Sequence, residues 1–130
     1  ALPIFNKPSW LYPGLKVRII SKNSFEGGRF YNQKGIILDV HGQSECSLKL
    51  ISNQTLPAVP QWALETCIPR HADATRATVR FLKEGEYFHA PFRILQLNDD
   101  KSKAVIQLED DFTVVMEVLY DDICEFVEFY

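Results

Sequence analysis

Short apolar runs alternate with polar segments along most of the chain. Seven runs of strand length are rich in Val, Ile, Leu and Phe, and they span 15–21, 35–42, 46–52, 77–82, 91–97, 103–109 and 113–120. The segments HGQSE, LNDDKS and EDDF between them are typical of turns, because Gly, Asn and Asp accept turn dihedrals or bond their own backbone. No stretch of twelve residues carries a helical apolar stripe. The pattern predicts an all-β protein.

The order of these elements repeats once along the chain. Each half reads strand, long loop, strand, turn, strand, turn, short strand and closing turn, and the closing segments WALETCIP and YDDICEFV have similar shapes. Closing so short a sheet into a barrel removes its exposed edges. We therefore predict two small five-stranded SH3-like barrels in tandem, with an extended lead-in at 1–14, a first barrel at 15–70 and a second at 71–130.

The composition supports one or two small folded domains. With 130 residues, 46% of them apolar, the chain can bury a core. No run approaches the roughly 18 apolar residues of a membrane helix, and the N-terminal stretch does not resemble a signal peptide, so we expect a soluble protein without a membrane partner. The proline-containing start without an initiator methionine leads us to expect a piece of a longer chain. Cys46, Cys67 and Cys124 are odd in number and far apart, which favours buried thiols inside the cell.

Charge divides the two halves more sharply than the net value of −3 indicates. Residues 1–70 hold eight Lys or Arg against four acids, a balance of +4, whereas residues 71–130 hold six against thirteen, a balance of −7. Because binding to phosphates depends mainly on Lys and Arg, the first half is the candidate for nucleic-acid binding.

The stretch FEGGRFYNQKG in the first half combines two adjacent glycines, three aromatic residues and two cations. The glycines permit positive φ and a close approach to a ligand, and the aromatic rings are surfaces on which unpaired bases stack. Period-two alternation places the two cations of the preceding strand on one face. The predicted RNA-binding residues are Lys16, Arg18, Lys22, Phe25, Arg29, Phe30, Tyr31 and Lys34.

These residues also have plainer interpretations. The three rings of the loop can cap an open end of the barrel, and Arg18 can pair with Asp39 across neighbouring strands. Trp10 and Tyr12 are expected to pack on the barrel, and Trp62 is expected in the core.

Three stretches together resemble a known family. Residues 9–40 (SWLYPGLKVRIISKNSFEGGRFYNQKGIILDV), LETCIPR and KAVIQLEDDFTVVMEVLYDDICEFV resemble the KOW-containing C-terminal region of the spliceosomal G-patch-and-KOW protein family. The W-L-x-P-G and L-E-T-x-I-P segments are also similar to the C-terminal tandem SH3-like region of the Kin family of zinc-finger nucleic-acid-binding proteins.

This resemblance implies a nuclear protein of pre-mRNA splicing built from KOW-type SH3-like barrels. It implies single-stranded RNA, either pre-mRNA or small nuclear RNA, and spliceosomal proteins as partners. A DEAH-box helicase would be engaged through the family's G-patch, which lies outside these 130 residues.

The second half departs from the KOW pattern. Its loop KEGEYFHAPFRIL keeps Gly85, but alanine and proline stand at Ala90 and Pro91 where further glycines are expected. Together with the acidic balance, this favours a protein-binding surface over an RNA-binding one. The predicted protein-interaction residues are Glu84, Glu86, Tyr87 and Phe88.

Catalytic patterns are absent from the sequence. There is no Gly-x-Ser-x-Gly elbow or phosphate-binding glycine loop, and Cys67 and His71 have zinc-pair spacing without a second pair. The acidic doublets are interpreted as solvated turns. We expect no enzyme, metal or cofactor. Two alternatives to RNA binding stay open: a protein-interaction scaffold for a spliceosomal or helicase partner, and a Tudor-like reader that cages methylated Lys or Arg by cation–π attraction.

Overall fold

Both halves of the chain form antiparallel β-sheets. The structure, a computed structural model, describes residues 9–128, so most of the predicted lead-in lies outside the described residues. The contacts divide the chain into two units, of which the first ends at Glu65 and the second spans Thr66–Glu128. The first sheet, whose last strand ends one residue beyond this division, contains β1 (Lys16–Ile19), β2 (Lys34–His41), β3 (Glu45–Leu50), β4 (Thr55–Pro60) and β5 (Leu64–Thr66). The second contains β6 (Thr78–Phe81), β7 (Pro91–Asn98), β8 (Lys103–Leu108), β9 (Val115–Leu119) and β10 (Ile123–Phe126).

The two sheets have the same topology. Their strand orders are β4-β3-β2-β1-β5 and β9-β8-β7-β6-β10, so four strands follow one another and the fifth returns to pair with the first. The register of each sheet also shifts within its second strand, between Ile37 and Asp39 and between Ile94 and Gln96. The predicted repeat and the all-β class are therefore confirmed. The described strand pairs form two open five-stranded sheets, and barrel closure stays a prediction.

The seven strands predicted from apolar runs are all present, within one to two residues at each end. The predicted closing turns are also alike, since Gln61–Ala63 and Tyr120–Asp122 each form one turn of 3₁₀-helix before the last strand. Two further 3₁₀-helices span Glu26–Gly28 and His71–Arg76. Within residues 9–128, no helix has the length and apolarity needed to cross a membrane.

Each unit has its own apolar core, built from alternate residues of its strands. In β1, Val17 and Ile19 are fully buried, while Lys16 and Arg18 are half-buried on the opposite face. In the second unit, Val79, Phe92 and Ile106 occupy the same role. Such alternation follows from the pleat, which sends successive side chains to opposite faces.

The structure confirms one expectation about buried side chains and corrects another. All three cysteines are buried free thiols. Trp62, however, is 47% exposed, so its prediction as a core residue is wrong. It lies in the 3₁₀ turn before β5, where the small Ala63 is the residue that faces the core.

Candidate nucleic-acid interface

Cations gather on the outer face of β1, β2 and β3. Arg18 lies directly opposite Lys34, and Lys16 lies opposite Ile36, which in turn lies opposite Lys49. Residues that oppose each other in antiparallel strands share one face of the sheet. The prediction that Lys16 and Arg18 share one face of the sheet is confirmed, and the register shows that Lys34 lies on the same face. Lys49 was missed, because alternation within β3 is visible in the sequence but its register against β2 is not.

The neighbour of Arg18 differs from the expected one. Its guanidinium Nη1 lies 3.1 Å from Glu65 Oε1 on β5, and both side chains are partly exposed. Asp39, the partner considered from the sequence, instead accepts a hydrogen bond from the Val40 N–H at 3.0 Å. Exposed ion pairs of this kind are worth at most about 1 kcal/mol, so Arg18 can exchange Glu65 for a phosphate.

The loop between β1 and β2 is ordered by its own hydrogen bonds. The buried Ser21 hydroxyl accepts the Phe25 N–H at 2.8 Å. The Gly28 N–H donates to the Phe25 carbonyl at 2.9 Å, and the Tyr31 N–H donates to the Gly28 carbonyl at 3.1 Å. Where the loop rejoins the sheet, the Ile19 N–H and carbonyl both bond to the chain at 32–33. The loop therefore holds its exposed side chains in fixed places.

The two glycines of this loop have different roles. Both have positive φ, +62° at Gly27 and +82° at Gly28, as predicted. A Cβ at Gly27 would meet open space, whereas one at Gly28 would collide with the Lys22 carbonyl oxygen. The close approach at Gly28 is therefore to the chain's own backbone, and close approach to a ligand stays a prediction for Gly27.

The three aromatic rings of the loop are placed unequally. Phe25 and Phe30 are only 8% and 5% exposed, and their ring centroids are 6.4 Å apart. Rings so buried offer no face to a base, so their placement fits packing against the sheet and does not fit the predicted stacking. Tyr31 is 44% exposed, with Lys22 Nζ 5.7 Å from its ring centroid. Arg29 lies over the Phe30 ring at 5.0 Å.

Exposed apolar side chains gather at the end of the sheet that carries this loop. Ile20, at the start of the loop, donates its N–H to the Ala63 carbonyl at 2.8 Å, which brings the loop beside the turn that holds Trp62. Ile51 donates its N–H to the Lys34 carbonyl at 3.0 Å. We call this region, defined by Arg18, Lys22, Arg29, Tyr31, Lys34 and Trp62, the loop end of the first unit. It presents two exposed rings among four cations.

The residues predicted to contact proteins lie in the corresponding loop of the second unit. Glu84 and Glu86 are exposed. Tyr87 is half-buried and packs edge-on against Phe92, with centroids 6.0 Å apart. Phe88 is half-buried and stacks on the neighbouring histidine ring at 3.8 Å. This loop therefore offers carboxylates to solvent more than aromatic surface.

In two of the acidic turns of the second unit, the carboxylates accept hydrogen bonds from neighbouring side chains or backbone. Asp99 accepts a hydrogen bond from the Tyr120 hydroxyl at 2.7 Å and lies 2.9 Å from His71 Nε2, and these bonds lower the pKa of Asp99. Burial and the same hydrogen bond raise the pKa of Tyr120 to about 12. Asp111 accepts two hydrogen bonds from Thr113, which lower its pKa. Across residues 9–128, no three His, Cys, Asp or Glu side chains cluster as a metal-ligand set.

Comparisons with known proteins cover nearly the whole chain. Residues 15–128 match the family model described as GPKOW C-terminal domain. The chain is 31% identical over 117 residues to the Xenopus laevis G-patch domain and KOW motifs-containing protein, which covers 90% of this chain and 23% of that protein. It is 31% identical over 122 residues to Arabidopsis thaliana Protein MOS2, covering 93% of this chain and 25% of that protein.

A relative from the second family is nearly as similar. The Arabidopsis thaliana KIN17-like protein is 29% identical over 122 residues, covering 92% of this chain and 28% of that protein. The chain thus spans about a quarter of the length of the curated relatives it matches. The family match runs from the start of the first sheet to the end of the described residues, and this chain belongs to the GPKOW C-terminal domain family.

Proposed function

We propose that this domain is an RNA-binding and interaction module of a nuclear pre-mRNA splicing factor, with its two sheets folded as tandem SH3-like, KOW-type barrels that stay partly open at their edge strands. The first unit contacts single-stranded RNA, either pre-mRNA or small nuclear RNA. The observation that carries the proposal is the loop end of the first unit. There Arg18 and Lys34 lie opposite each other on β1 and β2, and the loop that joins these strands carries the exposed ring of Tyr31. Family membership supports it, since relatives carry KOW motifs and a G-patch in their names.

The chemistry of the loop end suits a single strand. Cations release counterions when they bind phosphates, and exposed aromatic rings stack on unpaired bases of any identity. Tyr31 and Trp62 provide such rings, Lys22 lies over the Tyr31 ring, and Arg29 and Lys34 provide further charges within and at the end of the same loop. A double helix would keep its bases stacked on one another, out of reach of these side chains.

The second unit serves protein contacts in this proposal. Glu84 and Glu86 are exposed on its loop, in a half of the chain with a charge balance of −7, which disfavours RNA. Its partners would be spliceosomal proteins, and a DEAH-box helicase would be engaged by a G-patch elsewhere in the protein. A methyl-lysine cage needs three or four converging rings, and the described part of the first unit exposes two, Tyr31 and Trp62.

A salt titration tests the RNA proposal. Binding of a fluorescent single-stranded RNA is measured against salt for the native chain, for Arg29→Ala/Lys34→Ala and for Lys83→Ala/Lys101→Ala as a matched loss of two cations from the second unit. Three or four phosphate contacts give a slope of log affinity against log salt of about −2 to −3. The first variant should flatten it by about 1.4, and the second should leave it unchanged.

Stacking is tested separately with Tyr31→Ala. Loss of one stacked base weakens binding by about 1 to 3 kcal/mol with little change in the salt slope. If the native chain binds no RNA at low salt, or if both double variants flatten the slope equally, the loop end is not an RNA site and the scaffold interpretation replaces it.

A further inference from the structure

Strand β9 leaves one side of its backbone at the edge of the second sheet. Among residues 9–128 it pairs with β8 alone, and the bonds at the two ends of this pair join Leu108 to Val114 at 3.0 Å and Ser102 to Tyr120 at 2.9 Å. In an antiparallel pair, bonded residues alternate with residues whose N–H and C=O point away from the partner. The outward-pointing residues of β9 are Val115, Glu117 and Leu119.

The corresponding edge strand of the first unit is protected against pairing, and β9 is not. Strand β4 carries Pro57 and Pro60. The Gln61 N–H bonds to the Ser44 carbonyl, so the neighbouring pair of Glu45 and Pro60 is a non-bonded one and Pro60 occupies an outward-pointing position. Prolines on an edge strand prevent another strand from adding. β9 has the sequence VMEVL, without proline and rich in residues that favour strands.

A groove of about 370 Å³ runs beside this open edge. Its apolar lining is Phe81, Met116, Val118 and Leu119, and its charged lining is two cations, Lys83 and Lys103, and two carboxylates, Glu117 and Asp122. On the outer face of β9, Val115 and Leu119 are 48% and 49% exposed. An added strand would therefore place one set of alternate side chains towards the groove and the other beside the exposed residues of β9.

Charge selects the kind of strand that fits. Residues 109–122 contain six acids and no Lys or Arg, and Glu117 is the central outward-pointing residue of β9. Lys103 approaches Glu117 from β8 at 3.6 Å, with the Glu117 side chain still 63% exposed. A second copy pairing antiparallel about this centre would oppose Glu117 with itself, and like charges directly opposite are destabilising. A basic strand would instead gain cross-strand pairing.

We infer that β9 is a docking edge for an extended basic segment of a partner protein, which adds to the sheet as a sixth strand. Backbone hydrogen bonds to Val115, Glu117 and Leu119 provide affinity, and alternation of apolar and basic side chains provides selectivity. The inference goes beyond the proposed function and does not depend on RNA binding, since it concerns a different unit and a different ligand.

Amide hydrogen exchange of the native chain tests the inference directly. The probe is a capped synthetic heptapeptide of alternating valine and lysine. At saturation it should slow exchange at Val115, Glu117 and Leu119 by at least about tenfold, because these amides become hydrogen-bonded. Met116 and Val118, whose amides already point towards β8, should change little. Protection elsewhere, or none, overturns the inference.

Peptide and protein variants separate strand addition from simple charge attraction. A heptapeptide with glutamate in place of lysine, and one with a central proline, should each bind at least about tenfold more weakly. Glu117→Pro removes the central backbone donor, whereas the control Glu117→Thr keeps it, and both variants lose the Glu117 charge alike. A clearly larger loss of binding in the proline variant than in the threonine variant supports the inference, and equal loss in both overturns it. If Glu117→Pro fails to fold, the exchange pattern of the native chain decides. A dimer by sedimentation that protects these amides without peptide would show that the occupant is a second copy.

Discussion

At the scale of single residues, Gly28 fixes the shape of the loop between β1 and β2. Its φ is +82°, and a Cβ at this position would collide with the Lys22 carbonyl oxygen. The loop therefore requires both the positive φ that glycine tolerates and the absence of a side chain. Lys22 in turn lies over the Tyr31 ring. The positions of Lys22 and of the exposed Tyr31 ring thus depend on Gly28, which itself has neither a charge nor a ring.

Gly28→Ala and Gly27→Ala form a matched pair, since both residues have positive φ. At Gly27 the new Cβ meets open space, and only the left-handed backbone costs about 1 to 2 kcal/mol. At Gly28 the collision with the Lys22 carbonyl adds to that cost, so we expect more than about 2 kcal/mol. Chemical denaturation measures both. Equal losses would show that the loop moves aside and that Gly28 is not a fixed point.

At the scale of elements, hydrogen bonds to one carboxylate join three segments of the second unit. Asp99 follows β7, His71 begins a 3₁₀-helix and Tyr120 follows β9, and the two last side chains both lie within hydrogen-bonding distance of the Asp99 carboxylate. The carboxylate is at the surface, so its bonds stabilise the arrangement of these segments modestly and depend on its charge.

The hydrogen bonds to Asp99 make the stability of the folded chain depend on pH. The hydrogen bonds from Tyr120 and His71 hold the folded pKa of Asp99 below its ordinary value. Its contribution is therefore fully present above pH about 4 and is lost as pH falls through the lower folded pKa. We expect the native chain to be more stable than Asp99→Asn at neutral pH, and the two to converge in acid. Denaturation at several pH values measures this. Asp100→Asn, which leaves both bonds to Asp99 in place, serves as the control, and a gap that persists unchanged in acid would contradict the prediction.

Local pattern was sufficient to predict most strands but not the ones that tertiary pairing creates. The long apolar runs, such as those of β2 and β8, are recognisable as strands from their composition. β4 has two prolines and β5 only three residues, so neither looks like a strand until β3 and β1 supply partners. Burial within the loop was equally invisible. Phe25 and Tyr31 look alike in sequence, and only their exposure in the folded loop, low for Phe25 and high for Tyr31, shows which ring turns inward.

At the scale of the whole molecule, one topology carries two different surfaces. Repetition of the strand order gives each unit a loop between its first two strands and an edge at its fourth. The first unit has cations around the loop and prolines at the edge, whereas the second has carboxylates in the loop and an unblocked, acidic edge. The sequence predicted this electrical division from charge counts, but register was needed to show which residues meet.

Two ligands should therefore bind to separate units. In separate titrations of the ¹⁵N-labelled chain, we expect a short single-stranded RNA to shift amide signals of the loop end, near Arg18, Tyr31 and Lys34, and the valine–lysine peptide to shift those of β9. Arg29→Ala/Lys34→Ala should weaken the first response and leave the second intact, because it removes cations from the first unit alone. Glu117→Pro should weaken the response to the peptide and leave the response to RNA intact. RNA-induced shifts centred on the loop around Glu84 and Glu86 would contradict this division, because they would place nucleic acid on the unit whose charge should repel it.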